Sequence, residues 1–400
     1  MQNMLSTKYH FFIIVIVTLL FCNGKVIGQS SISENQKWSE RTAISILKSY
    51  PKAWQIDGND KPKWDYKSGF VLQVFERLYQ KTNDTIYFNY IKEYAEGMID
   101  SSGTIRTYNN KEYNIDFINP GKVLFELLKL TNDERYRTAL MHLRSQLEQQ
   151  PRTQSGGFWH KEIYPNQMWL DGLYMAEPFY ARYTVEYENG KYLNDVAKQF
   201  EIIHKNFVDK KTGLLFHAWD ESKQIAWADP LTGTSPTIWS RGIGWYMMAL
   251  VDVLDYYPDK HPKKKVLKGY LNEMAATLLQ YKTATGLWYQ ITDKTLLKGN
   301  YLEPSASAMF IYAYAKGSNQ GYLPGKFKKQ AQKSFSSFIT EFIKIKYNGT
   351  VNIVNVSPNV GLGGTPFRDG SNAYYLKGKP KDSSSAALAA FILNAIALDK

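Results

Sequence analysis

Apolar residues recur at helical spacing along almost the whole chain, in segments that follow one another in pairs. The first member of each pair is amphipathic, with apolar side chains on one stripe and charged side chains on the other. These first members cover roughly 34–49, 86–99, 134–148, 191–207, 263–283 and 326–346. In the last of them Phe335, Phe338 and Phe342 form such a stripe among Lys, Ser and Glu residues.

The second member of each pair is apolar or small on every side, which is typical of a buried helix. These segments cover roughly 69–80, 119–130, 172–184, 242–255, 305–316 and 384–398. Six amphipathic-then-buried pairs predict an all-α fold, an (α/α)6 toroid in which outer helices shield an inner ring. We expect residues 29–400 to form this single domain. An open helical solenoid is the structural alternative, and it would need a capping helix at each end.

Strand signals are scarce, and they predict only small hairpins. Two short runs, 213–217 and 286–290, combine a glycine with apolar and aromatic residues. We expect them to pair beside the end of the ring where the loops before the inner helices gather.

The first 28 residues have the pattern of a secretory signal peptide. Lys8 supplies a positive charge, 11–21 form a short apolar run, and 26–28 offer a cleavage site. A membrane-spanning helix needs about 20 apolar residues, so we expect export to the periplasm without stable membrane insertion. The only cysteine, Cys22, lies in this segment. The exported chain should therefore contain no disulfide and no cysteine metal site.

Composition narrows the class of partner. Aromatic residues make up 15% of the chain and the formal net charge is +12. Aromatic rings can pack in the core or line a groove for sugars, and a positive net charge favours an anionic partner. Nucleic acid is not expected, because the lysines are dispersed and no arginine-rich stretch or nucleic-acid module is present.

Polar side chains that are costly to bury cluster at the starts of the predicted inner helices. With their aromatic neighbours, the candidates are Asp116, His160, Trp169, Asp171, His217, Trp239, Arg241, Trp245 and Glu303. Taken singly, an Asp at a helix start is usually an N-cap. A sugar site needs aromatic and charged side chains together, since rings cover sugar faces and charged groups bind hydroxyls and carboxylates. Glu303 has no Trp neighbour, so we interpret it as structural. No histidine pair has the spacing of a helical metal site, and we expect no metal or other cofactor.

Three motifs resemble glycoside hydrolase family 105, the unsaturated rhamnogalacturonyl hydrolases and their relatives. They are 168–175 (Met-Trp-Leu-Asp-Gly-Leu-Tyr-Met), 239–245 (Trp-Ser-Arg-Gly-Ile-Gly-Trp) and 301–309 (Tyr-Leu-Glu-Pro-Ser-Ala-Ser-Ala-Met). The resemblance runs from about residue 38 to the C-terminus and also implies an (α/α)6 barrel. It implies that Asp171 is the acid/base catalyst and Asp116 a second active-site carboxylate. It implies substrate-pocket positions for His160, Trp169, His217, Trp239, Arg241 and Trp245.

The resemblance also implies a reaction, the removal of a terminal 4,5-unsaturated glucuronyl or galacturonyl residue from lyase-generated acidic oligosaccharides. Fragments of pectic rhamnogalacturonan and of the sulfated polysaccharide ulvan both fit. Arg241 is the candidate for the uronate carboxylate, because a guanidinium can bind it through two parallel hydrogen bonds. Ile243 stands where the family usually has Asn, Pro304 stands where it usually has Thr, and 383–386 lack its Gly-Pro pattern.

Two other classes of function fit the same features. A polysaccharide lyase on the same toroid would use a Tyr/His or Lys base beside an Arg, and it would create the ultraviolet-absorbing double bond that a hydrolase destroys. A non-catalytic sugar-binding lipoprotein would be lipidated at Cys22 and would have no need of Asp171. The bulky Phe21 before Cys22 is unfavourable for lipidation.

Overall fold

The computed structural model describes residues 32–33 and 35–400, and the predicted signal peptide, 1–28, lies outside them. The helices are α1 (Trp38–Ser49), α2 (Tyr66–Thr82), α3 (Thr85–Met98), α4 (Leu124–Thr131), α5 (Glu134–Gln149), α6 (Leu170–Tyr187), α7 (Leu193–Phe207), α8 (Ser240–Val253), α9 (Pro262–Tyr281), α10 (Pro304–Asn319), α11 (Lys326–Phe342), α12 (Asn372–Lys377) and α13 (Ser385–Leu398). Four short strands are β1 (Gln167–Trp169), β2 (Ala218–Asp220), β3 (Ile343–Ile345) and β4 (Val351–Ile353). Among these described helices, none combines the length and the apolar character needed to cross a membrane.

Six helical segments form a closed inner ring. Their order is α2, the 3-10 stretch Ile115–Val123 that leads into α4, then α6, α8, α10 and α13, and each contacts the next. The ring closes because α13 packs against α2. Near this junction Lys37 and Lys81 both pair with Asp399, at 2.7 and 2.6 Å. An open solenoid is excluded, and the predicted (α/α)6 toroid is confirmed.

The outer helices cover the inner ring with their apolar stripes. Each of α1, α3, α5, α7, α9 and α11 packs against an inner helix. In α11, Phe335 and Phe338 stack on Phe391 of α13, with ring centroids 5.4 and 5.1 Å apart. Burial of each such side chain contributes about 1.5–3 kcal/mol. By contrast, α10 is buried continuously from Pro304 to Gly317, as its sequence predicts.

Local signals set the ends of several helices. Asp65 precedes α2 and accepts a hydrogen bond from the backbone N–H of Ser68, which satisfies one of the free donors of a helix start. The same helix ends at Thr82, and the next residue, Asn83, has a left-handed φ of 55°, a conformation that Asn tolerates better than most residues. These two caps explain why the ends of α2 lie close to those of the helix that the sequence predicts at 69–80.

The predicted hairpins are wrong in detail. Leu215 and Tyr289 form only isolated bridges, with Val208 and Leu302 respectively. The longer antiparallel ladders pair β1 with β2 and β3 with β4. The β1–β2 ladder joins segments about 50 residues apart along the chain, so local alternation of side chains could not reveal it.

Candidate active site

The β1–β2 ladder brings Asp171 and His217 together. Trp169 pairs with Ala218, and the backbone N–H of Leu170 donates to the His217 carbonyl at 3.0 Å. Because β1 leads directly into α6, Asp171 lies in the first turn of that helix. His217 Nε2 consequently lies 3.1 Å from Asp171 Oδ2.

Asp171 is not the N-cap of α6. That position belongs to Trp169, which makes no side-chain capping hydrogen bond. The Asp171 side chain is 18% exposed, whereas the His217 side chain behind it is fully buried. The carboxylate is therefore accessible to a ligand and is held from behind by an imidazole.

His217 is held in turn by Tyr375, whose hydroxyl lies 2.6 Å from His217 Nδ1. Burial raises the pKa of Tyr375 well above its usual value, so the phenol keeps its proton. With the Tyr375 hydroxyl donating to Nδ1, His217 donates from Nε2 to Asp171. The three side chains form one directed hydrogen-bond chain.

Asp116 anchors a second cluster. It lies in the first turn of Ile115–Val123, with Lys161 Nζ 2.8 Å from its Oδ2 and His160 Nε2 3.6 Å from its Oδ1. Burial opposes ionisation of Asp116, but Lys161 and His160 outweigh it and lower the pKa of the carboxyl. Burial lowers the pKa of His160 to about 4. Asp116 is therefore an anion beside a neutral imidazole and a lysine at neutral pH.

Trp169 joins the two clusters. Its ring stacks on His160 with centroids 4.5 Å apart and meets His217 edge-on at 5.5 Å. Tyr164 also stacks on this indole, at 5.0 Å. A Cβ at Gly172 would lie 3.1 Å from His160 Nδ1, so the absence of a side chain there lets α6 approach the imidazole. The indole thus forms a shared wall between the two carboxylate clusters.

The two tryptophans of the 239–245 motif have different surroundings. Trp239 packs on His217, with centroids 4.5 Å apart, and so supports the first cluster. Trp245 lies six residues further along the chain, within α8, and packs on Phe70 and Tyr174, at 4.9 and 5.0 Å. These three rings come from α2, α6 and α8, and they fill the lumen of the inner ring beneath the site. Trp245 is therefore part of the floor and does not present an open face to a ligand.

The Arg241 guanidinium is hydrogen-bonded to other groups of the protein. Its side chain is 4% exposed. It donates to Ser305 Oγ and to the Ser357 carbonyl, both at 2.6 Å, and to the Pro358 carbonyl at 3.3 Å. It also pairs with the fully buried Glu303 at 3.3 Å. These contacts leave little capacity for a substrate carboxylate, so the structure corrects the assignment of Arg241 to that task.

Glu303 has the structural position that its sequence context indicates. It caps α10 by accepting hydrogen bonds from the backbone N–H groups of Ser305 and Ala306. It also accepts from the N–H of Ser357 at 3.1 Å. Together with Arg241 it ties the start of α10 to the loop that precedes α12.

Three residues of the site are absent from the sequence-based assignment. Lys161 directly follows His160 and could have been included on that ground. Tyr66 is the first residue of α2, and burial raises its pKa, with further contributions from the charges of Asp116 and Asp171. Tyr375 lies on the six-residue helix α12, where no periodic pattern indicates a role.

Comparison with known proteins identifies close relatives of this architecture. The sequence model of Glycosyl Hydrolase Family 88 matches residues 38–400. A solved C. acetobutylicum glycoside hydrolase from family 105 is 40% identical with a TM-score of 0.87, covering 91% of this chain and 99% of that one. Protein Atu3128 of Agrobacterium fabrum is 34% identical over 50% of this chain and 88% of its own length. The unsaturated rhamnogalacturonyl hydrolase YesR of Bacillus subtilis is 27% identical over 69% of this chain and 75% of its own length.

Proposed function

The chain belongs to glycoside hydrolase family 105, and we propose on that premise that it removes the terminal 4,5-unsaturated uronic acid from lyase-generated oligosaccharides. It is a glycosidase of unsaturated uronic acid oligosaccharides. The observation that carries the proposed residue roles is the accessible Asp171 carboxylate, 3.1 Å from the buried His217. Membership of a glycosidase family counts against a non-catalytic sugar-binding lipoprotein.

The substrate's C4=C5 double bond is an enol ether, which determines the order of steps. A protonated Asp171 gives its proton to C4, and positive charge develops on C5 and the ring oxygen. Water then adds to C5 and returns a proton to Asp171. The resulting hemiketal opens to a C5 ketone, and the hemiacetal left at C1 releases the next sugar. One carboxyl serves as acid and then as base, unlike hydrolysis that protonates the glycosidic oxygen directly.

His217 and Tyr375 position Asp171 in this scheme. The hydrogen bond from His217 Nε2 occupies Asp171 Oδ2, so the other carboxyl oxygen is the one that exchanges a proton with the substrate. Since His217 is itself held by the Tyr375 hydroxyl, the carboxyl is oriented before the substrate arrives. Such preorganisation lowers the barrier without any reorganisation during the reaction.

Lys161 is our candidate for the uronate carboxylate in place of Arg241. Its side chain is 24% exposed and its ammonium contacts Asp116, which leaves other donor protons available. Asp116, whose carboxyl stays ionised, can accept hydroxyl hydrogen bonds and stabilise the cationic transition state. The Trp169 indole supplies an apolar wall beside both groups.

The direct test is the ultraviolet absorbance of the double bond across a panel of lyase-generated rhamnogalacturonan and ulvan oligosaccharides. We expect absorbance to fall with at least one of them, because hydration of C4=C5 removes the chromophore. A rise in absorbance with the intact polysaccharide would identify a lyase instead. Failure to consume any unsaturated oligosaccharide would contradict the proposal, and the panel also shows whether the fragments of rhamnogalacturonan or those of ulvan are the better substrates.

We further propose that the enzyme is exported and works in the periplasm on acidic oligosaccharides. The signal-peptide pattern of residues 1–28 supports export. Cell fractionation with N-terminal sequencing of the mature protein would test it, and the expected mature N-terminus is Gln29. Recovery of the uncleaved chain in the cytoplasm would contradict export.

Activity should survive exhaustive dialysis against EDTA. Among the described residues, no cluster of three or more His, Cys, Asp or Glu side chains could hold a metal ion, and the proposed chemistry needs only proton transfer. Turnover is measured before and after dialysis, with melting temperature as the control for folding. Loss of turnover that one divalent cation restores would contradict a metal-free mechanism.

A further inference from the structure

A second cavity, of about 250 Å³, lies at the opposite end of the inner ring from the candidate active site. Its wall includes Arg77 of α2, Arg182 of α6 and Asp252 of α8, all in the C-terminal halves of inner helices. The catalytic candidate Asp171 lies instead at the N-terminal end of α6. Tyr174, one of the rings that fill the lumen beneath the active site, also lines this cavity. The two sites therefore share the ring lumen and are separated by packed aromatic side chains.

The acidic side chains in the wall of this cavity already have cationic partners. Arg182 binds both Glu76 and Glu186, at 3.4 and 2.7 Å. Asp252 binds Lys316 at 2.6 Å and accepts a hydrogen bond from Tyr312 at 2.8 Å. The negative charges of these wall carboxylates are therefore balanced by protein cations, so they repel an incoming anion less than free carboxylates would.

Two basic side chains in the same wall make no direct ion pair. Within residues 32–33 and 35–400, the Arg77 guanidinium makes no hydrogen bond and no direct ion pair, although Asp252 and Glu76 lie near enough to stabilise its charge and raise its pKa. Lys122 is 7% exposed, and its ammonium group reaches only the Tyr174 carbonyl, at 2.5 Å, and the face of the Tyr174 ring. Burial lowers the pKa of Lys122 to about 7. An anion placed beside this amine would stabilise its protonated form and raise that pKa.

We propose that this cavity binds a small oxyanion, with the Arg77 guanidinium as its principal ligand and Lys122 as the second cation. A guanidinium presents a planar fork of donors that matches sulfate, phosphate and carboxylate oxygens. The cavity is below the range of about 300–1,000 Å³ that is common for drug-sized ligands. An inorganic anion with its water, or a single sugar acid, fits this volume.

Calorimetric titration of the full chain at constant ionic strength tests the proposal, with phosphate, sulfate and glucuronate as separate probes and chloride as the background ion. We expect at least one probe to bind with one equivalent. Arg77→Gln should weaken that binding at least about tenfold, because it removes a charged fork of donors that binds two anion oxygens at once. Arg137→Gln is the matched control, since this exposed arginine of α5 pairs with Glu134 outside the cavity, and it should bind as wild type does.

The pattern among variants decides where the anion sits. Hydrolysis of the unsaturated substrate should remain within about twofold of wild type in Arg77→Gln, because the residue lies outside the active site. Binding that persists in Arg77→Gln but disappears in Lys161→Gln would place the anion in the active site and overturn the proposal, as would binding of none of the probes. If Arg77→Gln does not fold, Arg77→Lys replaces it with the same expectation, because lysine lacks the planar fork.

Discussion

Asp171→Asn is expected to fold as the wild-type chain does and to lose at least about a hundredfold in turnover, the low end for general acid–base catalysis. An amide cannot deliver a proton to C4 or take one from water. It is isosteric with the carboxylate, however, and its oxygen can still accept the hydrogen bond from His217. The rate of absorbance loss gives turnover, and a thermal melt followed by circular dichroism gives stability.

Asp259→Asn is the matched control for this substitution. Asp259 is almost completely exposed and pairs with Lys264, so the same chemical change there should leave turnover unaltered. Near-wild-type turnover in a well-folded Asp171→Asn variant would remove Asp171 from the catalytic role. A large loss of stability in that variant would instead indicate that the contact with His217 is structural.

The sequence predicts the helices well because each of them carries its own signal. The segment predicted at 305–316 becomes α10, Pro304–Asn319, since an unbroken apolar run leaves no solvent-facing side. The segment predicted at 119–130 is less regular, because the chain adopts a 3-10 conformation up to Val123 and only then enters α4. Pro120 lies within that stretch and lacks the N–H that a regular helix needs. Local signals thus establish the elements, whereas the contact of α13 with α2 that closes the ring is not local.

The residues of the site also divide into those that local sequence signals indicate and those that depend on contacts between distant segments. Asp116, His160, Asp171 and His217 all lie in or before the loops that lead into inner segments. The structure places His160 and His217 against Trp169, with Asp116 beside His160 and Asp171 beside His217. Tyr375 escaped prediction because it is 158 residues from its partner His217 and lies on a very short helix. The role of Arg241 could not be predicted because its carbonyl partners on Ser357 and Pro358 lie 116 and 117 residues further along the chain.

Arg241→Met is expected to destabilise the protein by about 3–5 kcal/mol, the usual cost of removing one member of a buried ion pair. The substitution leaves the fully buried Glu303 without its cation and removes the donor to the Ser357 carbonyl. A methionine fills much of the volume, so the loss reports the missing polar contacts rather than a cavity. The melting temperature should fall by several degrees, and activity should fall with it wherever the variant is partly unfolded.

A double variant tests whether this loss comes from the buried charge. Glu303→Gln removes that charge, so the combination of Arg241→Met with Glu303→Gln should be less destabilised than the sum of the two single variants. Strict additivity would contradict direct coupling between the two side chains.

Arg241→Lys separates a structural role from a substrate-binding one, because it keeps the charge and loses the planar fork that reaches several oxygens at once. The structure predicts a lower melting temperature for this variant. In an Asp171→Asn background, where substrate is not consumed, it predicts that the folded variant binds an unsaturated disaccharide as tightly as its parent. Lys161→Gln in the same background should bind it at least about tenfold more weakly, because a lost charge-assisted contact costs about 1.5–3 kcal/mol. The opposite result would be weak binding by Arg241→Lys at an unchanged melting temperature and normal binding by Lys161→Gln. That result would show that Arg241, and not Lys161, binds the uronate carboxylate.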